Sequence, residues 1–337
     1  MADSRPTADR RDPADGHLPA DGSPLADARL PVDGSPPANW RVPTDGSPAD
    51  GRLPADGPLA VDGGQQTDRR PPVNRWRPTL VIQVSVALHM AAVIVVIARP
   101  HLWPWVLAAI VGDHLILTAA GLWPRSKLLG PNWTHLPSAA AANGSVAITI
   151  DDGPDPTVTP QVLDLLDQHS AKATFFCIGE LVAQHSTLAR EIISRGHAIE
   201  NHSQHHLHRF SVLGPSGIKA EIARAQDTIE SVTGQRPHFF RAPAGLRSPF
   251  LEPVLARLGL RLASWTRRGF DTVNPDPAVV LQRLIQDLKG GDILLLHDGH
   301  AARAPSGTPV ILEVLPRVLQ AVSAAKLTPV TLRSVLT

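Results

Sequence analysis

Nineteen consecutive residues, Leu80 to Ala98 (LVIQVSVALHMAAVIVVIA), carry no formal charge. Coiled as a helix they span about 29 Å at about 1.5 Å per residue, the depth of a bilayer's hydrocarbon core. A second apolar stretch runs from Trp103 to Trp123 and is interrupted by Asp113-His114. Trp76, Trp103, Trp105 and Trp123 flank the two stretches, where indoles anchor at lipid–water boundaries. The chain between them, Arg99 to Leu102, is short enough to fold the pair into a hairpin. A helix pair buried in a soluble core is the alternative, but nothing nearby in the sequence could cover it. The run starts near residue 80 and lacks a small-residue cleavage site, which argues against a signal peptide. Asp113 and His114 are costly at membrane depth, and pairing with each other or with His89 across the hairpin is the expected resolution. Residues 79–124 therefore predict a two-helix transmembrane hairpin in the inner cell membrane, with the lipid bilayer as partner.

The segment before it, residues 1–78, has a different constraint. It repeats a six-residue Leu-Pro-Ala-Asp-Gly-x unit, and Asp-Gly-Ser-Pro recurs every twelve residues from Asp21, Asp33 and Asp45. A solenoid or a calcium-binding array would suit such repeats. However, Pro recurs in nearly every unit, and the first 74 residues hold no Phe, Ile or Glu. Too little apolar surface is available to offset chain entropy, which predicts a disordered tail. The formal net charge of +1 excludes a polybasic nucleic-acid binder, so no nucleic-acid partner is expected. The single cysteine, Cys177, excludes a disulfide scaffold and a cysteine zinc ribbon; a buried inert thiol is expected.

After a linker at 125–144, short β-type runs alternate with helix-length amphipathic segments over 145–337. The runs are Val146–Ile150, Ala173–Ile178, Ala198–Glu200, His238–Phe240, Leu260–Ser264, Ile293–Leu296 and Pro329–Leu332. Thr159 followed by Pro160 reads as an N-cap and first turn of a helix through Gln168. Ile218, Ile222, Ala225 and Ile229 fall at helical spacing and the segment ends at Gly234. About seven strands alternating with helices mean an α/β fold with a parallel sheet, open or closed into a barrel.

In such folds chemistry gathers where strands end. The first run ends in Asp151-Asp152-Gly153-Pro154, and two adjacent carboxylates at a buried strand end need a cation or a proton. The third leads into His202-Ser203-Gln204-His205-His206, with two histidines four apart. The fourth ends in Arg241-Ala242-Pro243-Ala244-Gly245, the fifth precedes Trp265 to Asp271, and the sixth ends at Leu295-Leu296-His297-Asp298. Taken singly each has an ordinary reading: a turn, a solvated histidine pair, a structural ion pair, a satisfied core histidine. Their order and placement make the case.

That ordered set resembles the polysaccharide deacetylases of carbohydrate esterase family 4, which share the NodB homology domain. Thr149-Ile150-Asp151-Asp152-Gly153-Pro154 is similar to the family's T-F-D-D-G-P, with Ile for Phe. His202 to His206 matches H-[ST]-x-x-H, Arg241 to Gly245 resembles R-x-P-[YF]-G with Ala244 for the aromatic, and Leu295-Leu296-His297 fits L-x-H. The family's D-x-x-D-W is absent, and Trp265 and Asp271 are its nearest substitutes. The resemblance implies a distorted (β/α) barrel of about seven strands and removal of N-acetyl groups from an amino-sugar glycan or a lipid-linked sugar. It implies a divalent metal, zinc first, on Asp152, His202 and His206, with Asp151 as general base held by Arg241. Ala244 would offer its backbone N–H to the oxyanion. His297 would act as general acid oriented by Asp271, and Leu295 and Trp265 would line the acetyl pocket. His197, His205, His208 and His300 lie off the motif positions and are assigned no role at the metal. A catalytically dead glycan-binding barrel and a deacylase of a small amide are the alternatives, yet base, acid and ligand positions are all filled.

Arg69, Arg70, Arg75 and Arg77 precede the first apolar run and Arg125 and Lys127 follow the second, while the turn holds only Arg99. The positive-inside rule favours the cytoplasm for both ends of the hairpin and with them the catalytic segment, whereas a second helix kept out of the bilayer by Asp113 as an interfacial segment would send the catalytic segment outward.

Overall fold

The computed structural model describes residues 76–336. The repeat tail expected to be disordered lies outside the described residues except for its last three.

Two helices, α1 (Leu80–Ala98) and α2 (Trp103–Leu122), pack on each other across a single 3-10 turn at Pro100–Leu102. The Thr79 hydroxyl caps α1 by accepting from the Ile82 N–H. Both helices are long and apolar enough to cross a membrane by length and composition, and their side chains are mostly exposed. The carboxylate inside the hairpin has a nearer partner than the two expected histidines. Ser85 donates its hydroxyl to Asp113 at 2.7 Å, whereas the His89 and His114 ring nitrogens stand 4.0 Å away. Each histidine instead uses Nδ1 on the carbonyl one turn back, Ser85 and Ile110 respectively.

The remainder is a curled parallel sheet wrapped by helices. Its strands are β1 (Ser145–Asp151), β2 (Ala173–Cys177), β3 (Ala198–Asn201), β4 (Phe239–Phe240), β5 (Arg261–Leu262), β6 (Arg267–Arg268), β7 (Ile293–His297) and β8 (Thr328–Pro329). They lie in the order β5-β4-β3-β2-β1-β7-β6, with β8 beside the start of β1. The sequence reading located all but β6, a two-residue strand inside a stretch read as a loop. The helices are α3 (Ser138–Ala142), α4 (Thr159–Gln168), α5 (Gly179–Gln184), α6 (Ser186–Ser194), α7 (Pro215–Thr233), α8 (Leu251–Leu258), α9 (Pro277–Ile285) and α10 (Val310–Ala324). Gly234 ends α7 in the left-handed region at φ +71°, as its position promised. Thr159 is not an N-cap: it is the first residue of α4, and its hydroxyl accepts from the Asp155 N–H and donates to Asp298.

Residues 125–144 are no free linker. Leu129, Leu136 and Ala140 are buried, and the segment fills the seam between the sheet's two ends. Trp133 exchanges backbone hydrogen bonds with Leu262 and Ser264 beyond β5, while the Thr134 carbonyl accepts from Thr266 before β6.

Strand parity sets the site. Successive side chains of a strand face opposite sides. Ile148, Ile150, Phe175, Leu294 and Leu296 pack outward under the helices, whereas Ala147, Phe176, Phe239, Ile293 and Leu295 pack inside the curl. Counting on by two from these inner positions leads from Thr149 to Asp151, from Phe239 to Arg241 and from Leu295 to His297. Cys177 falls on the outer face, fully buried, and burial raises its thiol pKa well above the ordinary value.

Candidate active site

Asp151 and His297 are register partners at the ends of adjacent strands β1 and β7, on the inner face. Arg241 crosses the interior to reach Asp151. Its Nη1 donates to Asp151 Oδ1 at 2.6 Å and to Thr149 Oγ1 at 2.9 Å, its Nη2 to the Ser264 carbonyl and its Nε to the Ala263 carbonyl. The guanidinium also lies 4.0 Å over the Phe176 ring. A buried pair so fully hydrogen-bonded keeps one geometry, and removing either partner strands a charge. Thr149 completes it by donating to the Leu294 carbonyl at 2.6 Å.

The chain turns sharply after β1. Asp152 adopts φ +74°, which swings its carboxylate towards the loop after β3. There His202 Nε2 and His206 Nε2 lie 3.2 and 3.3 Å from Asp152 Oδ1. His202 Nδ1 stands 2.9 Å from the Arg241 carbonyl, a bond that needs the proton on Nδ1 and so leaves the Nε2 lone pair facing Asp152. Ser203 and His206 both take positive φ in this turn, and the Ser203 hydroxyl accepts from the His206 N–H. Burial and the neighbouring His202 bring His206 down to about 4, against the pull of Asp152. Burial would raise the Asp152 carboxyl, but the neighbouring imidazoles of His202, His300 and His297 override it and hold the group far below the usual carboxylate range.

Asp152 Oδ1 is buried and has no hydrogen-bond partner among the described residues. An orphaned carboxylate oxygen converging with two imidazole nitrogens, all within 4.8 Å of one another, is a donor set that fits a divalent cation.

On the opposite wall His297 is held twice by Asp271, which is completely buried. The His297 N–H donates to Asp271 Oδ2 at 2.7 Å and Nδ1 lies 2.9 Å from Oδ1. Burial disfavours the imidazolium, but Asp271, with Asp151 and Asp152 behind it, lifts the pKa to about 8.

These groups open on one cleft of about 340 Å³ that includes Asp151, Asp152, His202, His206 and His297. Ala244, Trp265 and Leu295 line it as well, so of the ten residues singled out from sequence only Arg241 and Asp271 stand behind the surface. Ala244 is exposed at the rim with φ +55°, and its N–H meets no backbone acceptor among the described residues. His208 and His300, set aside in the sequence, also line the cleft, and His300 Nδ1 stands 3.5 Å from Asp152 Oδ2. So does Arg268, whose guanidinium stacks over Trp265 and Phe270. His205 and His197 stay away: one pairs with Glu221 on α7, the other accepts from the Ala173 N–H. Asp298 is buried behind the first turn and burial lifts its carboxyl to about 7, against the Thr159 and Gly299 donors. Its neighbour Gly299 passes so close to Asp152 that a Cβ would strike the Asp152 carbonyl. The adjacency of His297, Asp298 and His300 was the sequence signal available for the missed members.

Comparison with known proteins gives a consistent picture. The polysaccharide deacetylase family profile matches residues 139–263. A peptidoglycan-N-acetylglucosamine deacetylase of Bacillus cereus is 35% identical over 175 residues, covering 51% of this chain and 81% of that protein. A chitooligosaccharide deacetylase of Azorhizobium caulinodans is 36% identical over 156 residues, covering 46% and 74%. The structure of a family 4 carbohydrate esterase from Streptomyces lividans in complex with acetate superposes with a TM-score of 0.50 at 31% identity, covering 56% of this chain and 92% of that one.

Proposed function

Because the chain belongs to the polysaccharide deacetylase family and is a hydrolase of carbon–nitrogen bonds other than peptide bonds, we propose that it removes the acetyl group from an N-acetylglucosamine-containing glycan or lipid-linked sugar. The relatives named for peptidoglycan and for chitooligosaccharide share that sugar, which supports the substrate class. The observation that carries the reading is the pairing of Asp151 with His297 across the Asp152–His202–His206 cluster.

Asp152, His202 and His206 would hold a divalent metal, zinc first. Held by these three residues, the cation would supply Lewis acidity towards the amide carbonyl and make a water more acidic. Asp151 accepts the proton of the attacking water, with Arg241 fixing Oδ1 so that Oδ2 is the basic atom. The Ala244 N–H donates to the oxyanion that develops on the former carbonyl oxygen. His297, kept protonated by Asp271, delivers its Nε2 proton to the departing nitrogen as the C–N bond breaks, leaving acetate and the free amine. Leu295 and Trp265 would form the wall against which the acetyl methyl rests, and Arg268, stacked on Trp265 at the same cleft, would meet a sugar hydroxyl or a neighbouring anionic group.

The exposed apolar surface of α1 and α2 supports an inner-membrane hairpin, and the arginine and lysine bias supports a cytoplasmic catalytic domain. Reporter fusions at Thr337 test the side: cytoplasmic fluorescence is expected, and alkaline phosphatase activity would reverse the assignment. For the chemistry, the full chain is incubated with acetylated amino sugars and the products weighed by mass spectrometry. Loss of one acetyl group per sugar, abolished by a chelator and restored by zinc, is the expected result. No mass change with any acetylated sugar would remove the reading.

A further inference from the structure

A second cavity adjoins the cleft. Between the α1–α2 hairpin and the barrel lies a crevice of about 660 Å³, walled by Val86, Met90 and Leu117 on the hairpin and by Val212, Leu246 and Phe250 on the barrel. Its size is that of a site for a substantial organic ligand. The two cavities share one wall. Ala244 and Gly245 line the cleft, and the next two residues, Leu246 and Arg247, line the crevice. Gly245 sits at φ +77°, and a Cβ there would lie 2.7 Å from Trp265 and 2.8 Å from Pro124, two residues beyond α2. The hairpin's end, the shared wall and the Trp265 ring are thus one packed block. The Arg247 N–H donates to the Gly121 carbonyl and strengthens the same joint.

The crevice opens on apolar surface. Val86 and Met90 are exposed on α1, and the barrel continues the patch with Val212, 79% exposed, and Phe250, 50% exposed. A contiguous apolar face of this kind belongs against lipid or a partner rather than water. Here it runs without a break into helices with the length and composition of membrane spans, which identifies lipid as what covers it.

The shared wall is polar at one point. Arg247 is 6% exposed and gives Nη2 to the Ser126 carbonyl at 2.6 Å, but its Nε is buried with no partner among the described residues. The Ser248 hydroxyl beside it is likewise buried and unpartnered among them. Glu252 is the neighbouring carboxylate, and no ion pair within 4.0 Å joins it to Arg247 among the described residues. Across the crevice Ser85, His89 and His114 face this wall from the hairpin, with Asp113 behind Ser85. A cation and a hydroxyl with spare donors therefore stand between a sugar-sized cleft and an apolar trough.

We propose that the crevice receives the hydrocarbon chain of a lipid-phosphate-linked N-acetylamino sugar, with Arg247 and Ser248 at the phosphate and the sugar in the cleft. The proposal rests on the deacetylase reading above and narrows its substrate to one that arrives through the membrane. No such substrate needs to leave the bilayer: the chain stays in apolar surroundings while the acetamido group passes Ala244 to reach Asp151 and His297.

The test uses the full chain in nanodiscs of phosphatidylethanolamine and phosphatidylglycerol. Two acetylated substrates are compared, polyprenyl-phosphate N-acetylglucosamine and a soluble tetrasaccharide of N-acetylglucosamine. A kcat/KM ratio of about tenfold or more in favour of the lipid-linked sugar is expected, the worth of about two buried methylene groups. Leu117→Trp and, independently, Met90→Trp should pull that ratio towards one. Equal kcat/KM for the two sugars in the unaltered protein overturns the proposal while leaving the deacetylase reading intact. Turnover of neither sugar counts against the deacetylase reading instead, and a second readout then decides the crevice. A polyprenyl-phosphate N-acetylglucosamine carrying a diazirine on its chain should label peptides spanning 82–90 and 246–253, with competition by the unlabelled compound. Label confined to the outer faces of the hairpin, or not competed, overturns the proposal.

Discussion

His206 and His297 line the same cleft, yet the first is held down to about 4 and the second up to about 8. Burial presses both towards the neutral form. The difference lies in what each ring faces. His206 faces another imidazole and shares one carboxylate oxygen with it, whereas His297 has the completely buried Asp271 to itself at Nδ1. Neutral rings suit metal ligation and a charged ring suits proton donation, so the proposed mechanism draws two tasks from one residue type through its neighbours.

The largest effects should come from breaking the neutral side. Asp152→Ala, His202→Ala or His206→Ala removes one of three ligands, and metal content and turnover should fall together. A loss of at least about 10³-fold is expected, since Lewis-acid stabilisation is worth several kcal/mol. Full metal occupancy by elemental analysis in all three variants would break the cluster as a metal site.

Next comes proton transfer. Asp151→Asn should keep its metal and lose about 10²–10⁴-fold in rate, and His297→Ala should lose a similar amount. The pairing of retained metal with lost rate distinguishes these two positions from the ligands. An unchanged rate in Asp151→Asn would remove the base.

The comparison sharpens further with pH. The general acid works only when protonated, so activity should fall as pH rises through the His297 pKa, about 8. Asp271→Asn withdraws the main charge that raises it, so the alkaline limb should move to lower pH. A bound divalent cation lowers the limb in both proteins and leaves the sign of the difference intact. Stability carries the same sign. A histidine whose folded pKa lies above its unfolded value of about 6.5 contributes stability that is complete below that value and lost as pH climbs past about 8. Coincident pH profiles for Asp271→Asn and the unaltered protein would dismiss Asp271 as the orienting carboxylate.

The two sides also differ in how far the sequence displays them. Asp152, His202 and His206 sit in short motifs at the ends of clear apolar runs, and strand parity carries Asp151, Arg241 and His297 to one inner face. The strand order needs long-range pairing, but the alternation of runs and helices already implies a parallel sheet. Asp271 is harder to place, because its contact with His297 spans 26 residues and β6 is only two residues long, too short for any periodicity. Residues 125–144 read as a linker because they carry no strand or helix periodicity of useful length, while what ties them in, the backbone pairing of Trp133 with Leu262 and Ser264 and the burial of Leu129, Leu136 and Ala140, depends on partners far along the chain. Ser85 as the partner of Asp113 was equally hidden, since a serine in an apolar helix looks like any small residue.

The smallest effect should come from a histidine that the motif brackets but the structure excludes. His205 lies between the two ligand positions, yet its ring turns outward and Nδ1 sits 2.8 Å from Glu221 Oε1 on α7. Its backbone N–H donates to the other oxygen of the same carboxylate, a bond that His205→Ala preserves, so the turn carrying His202 and His206 keeps its tie to α7. The ring is a third exposed, and surface pairs of this kind contribute about 0–1 kcal/mol. Metal content should be unchanged and turnover should stay within about twofold, which lies within that range of energies. A tenfold loss of metal in His205→Ala would mean that the ring belongs to the coordination shell, and the division of the cleft into a ligand side and an acid side would have to be redrawn.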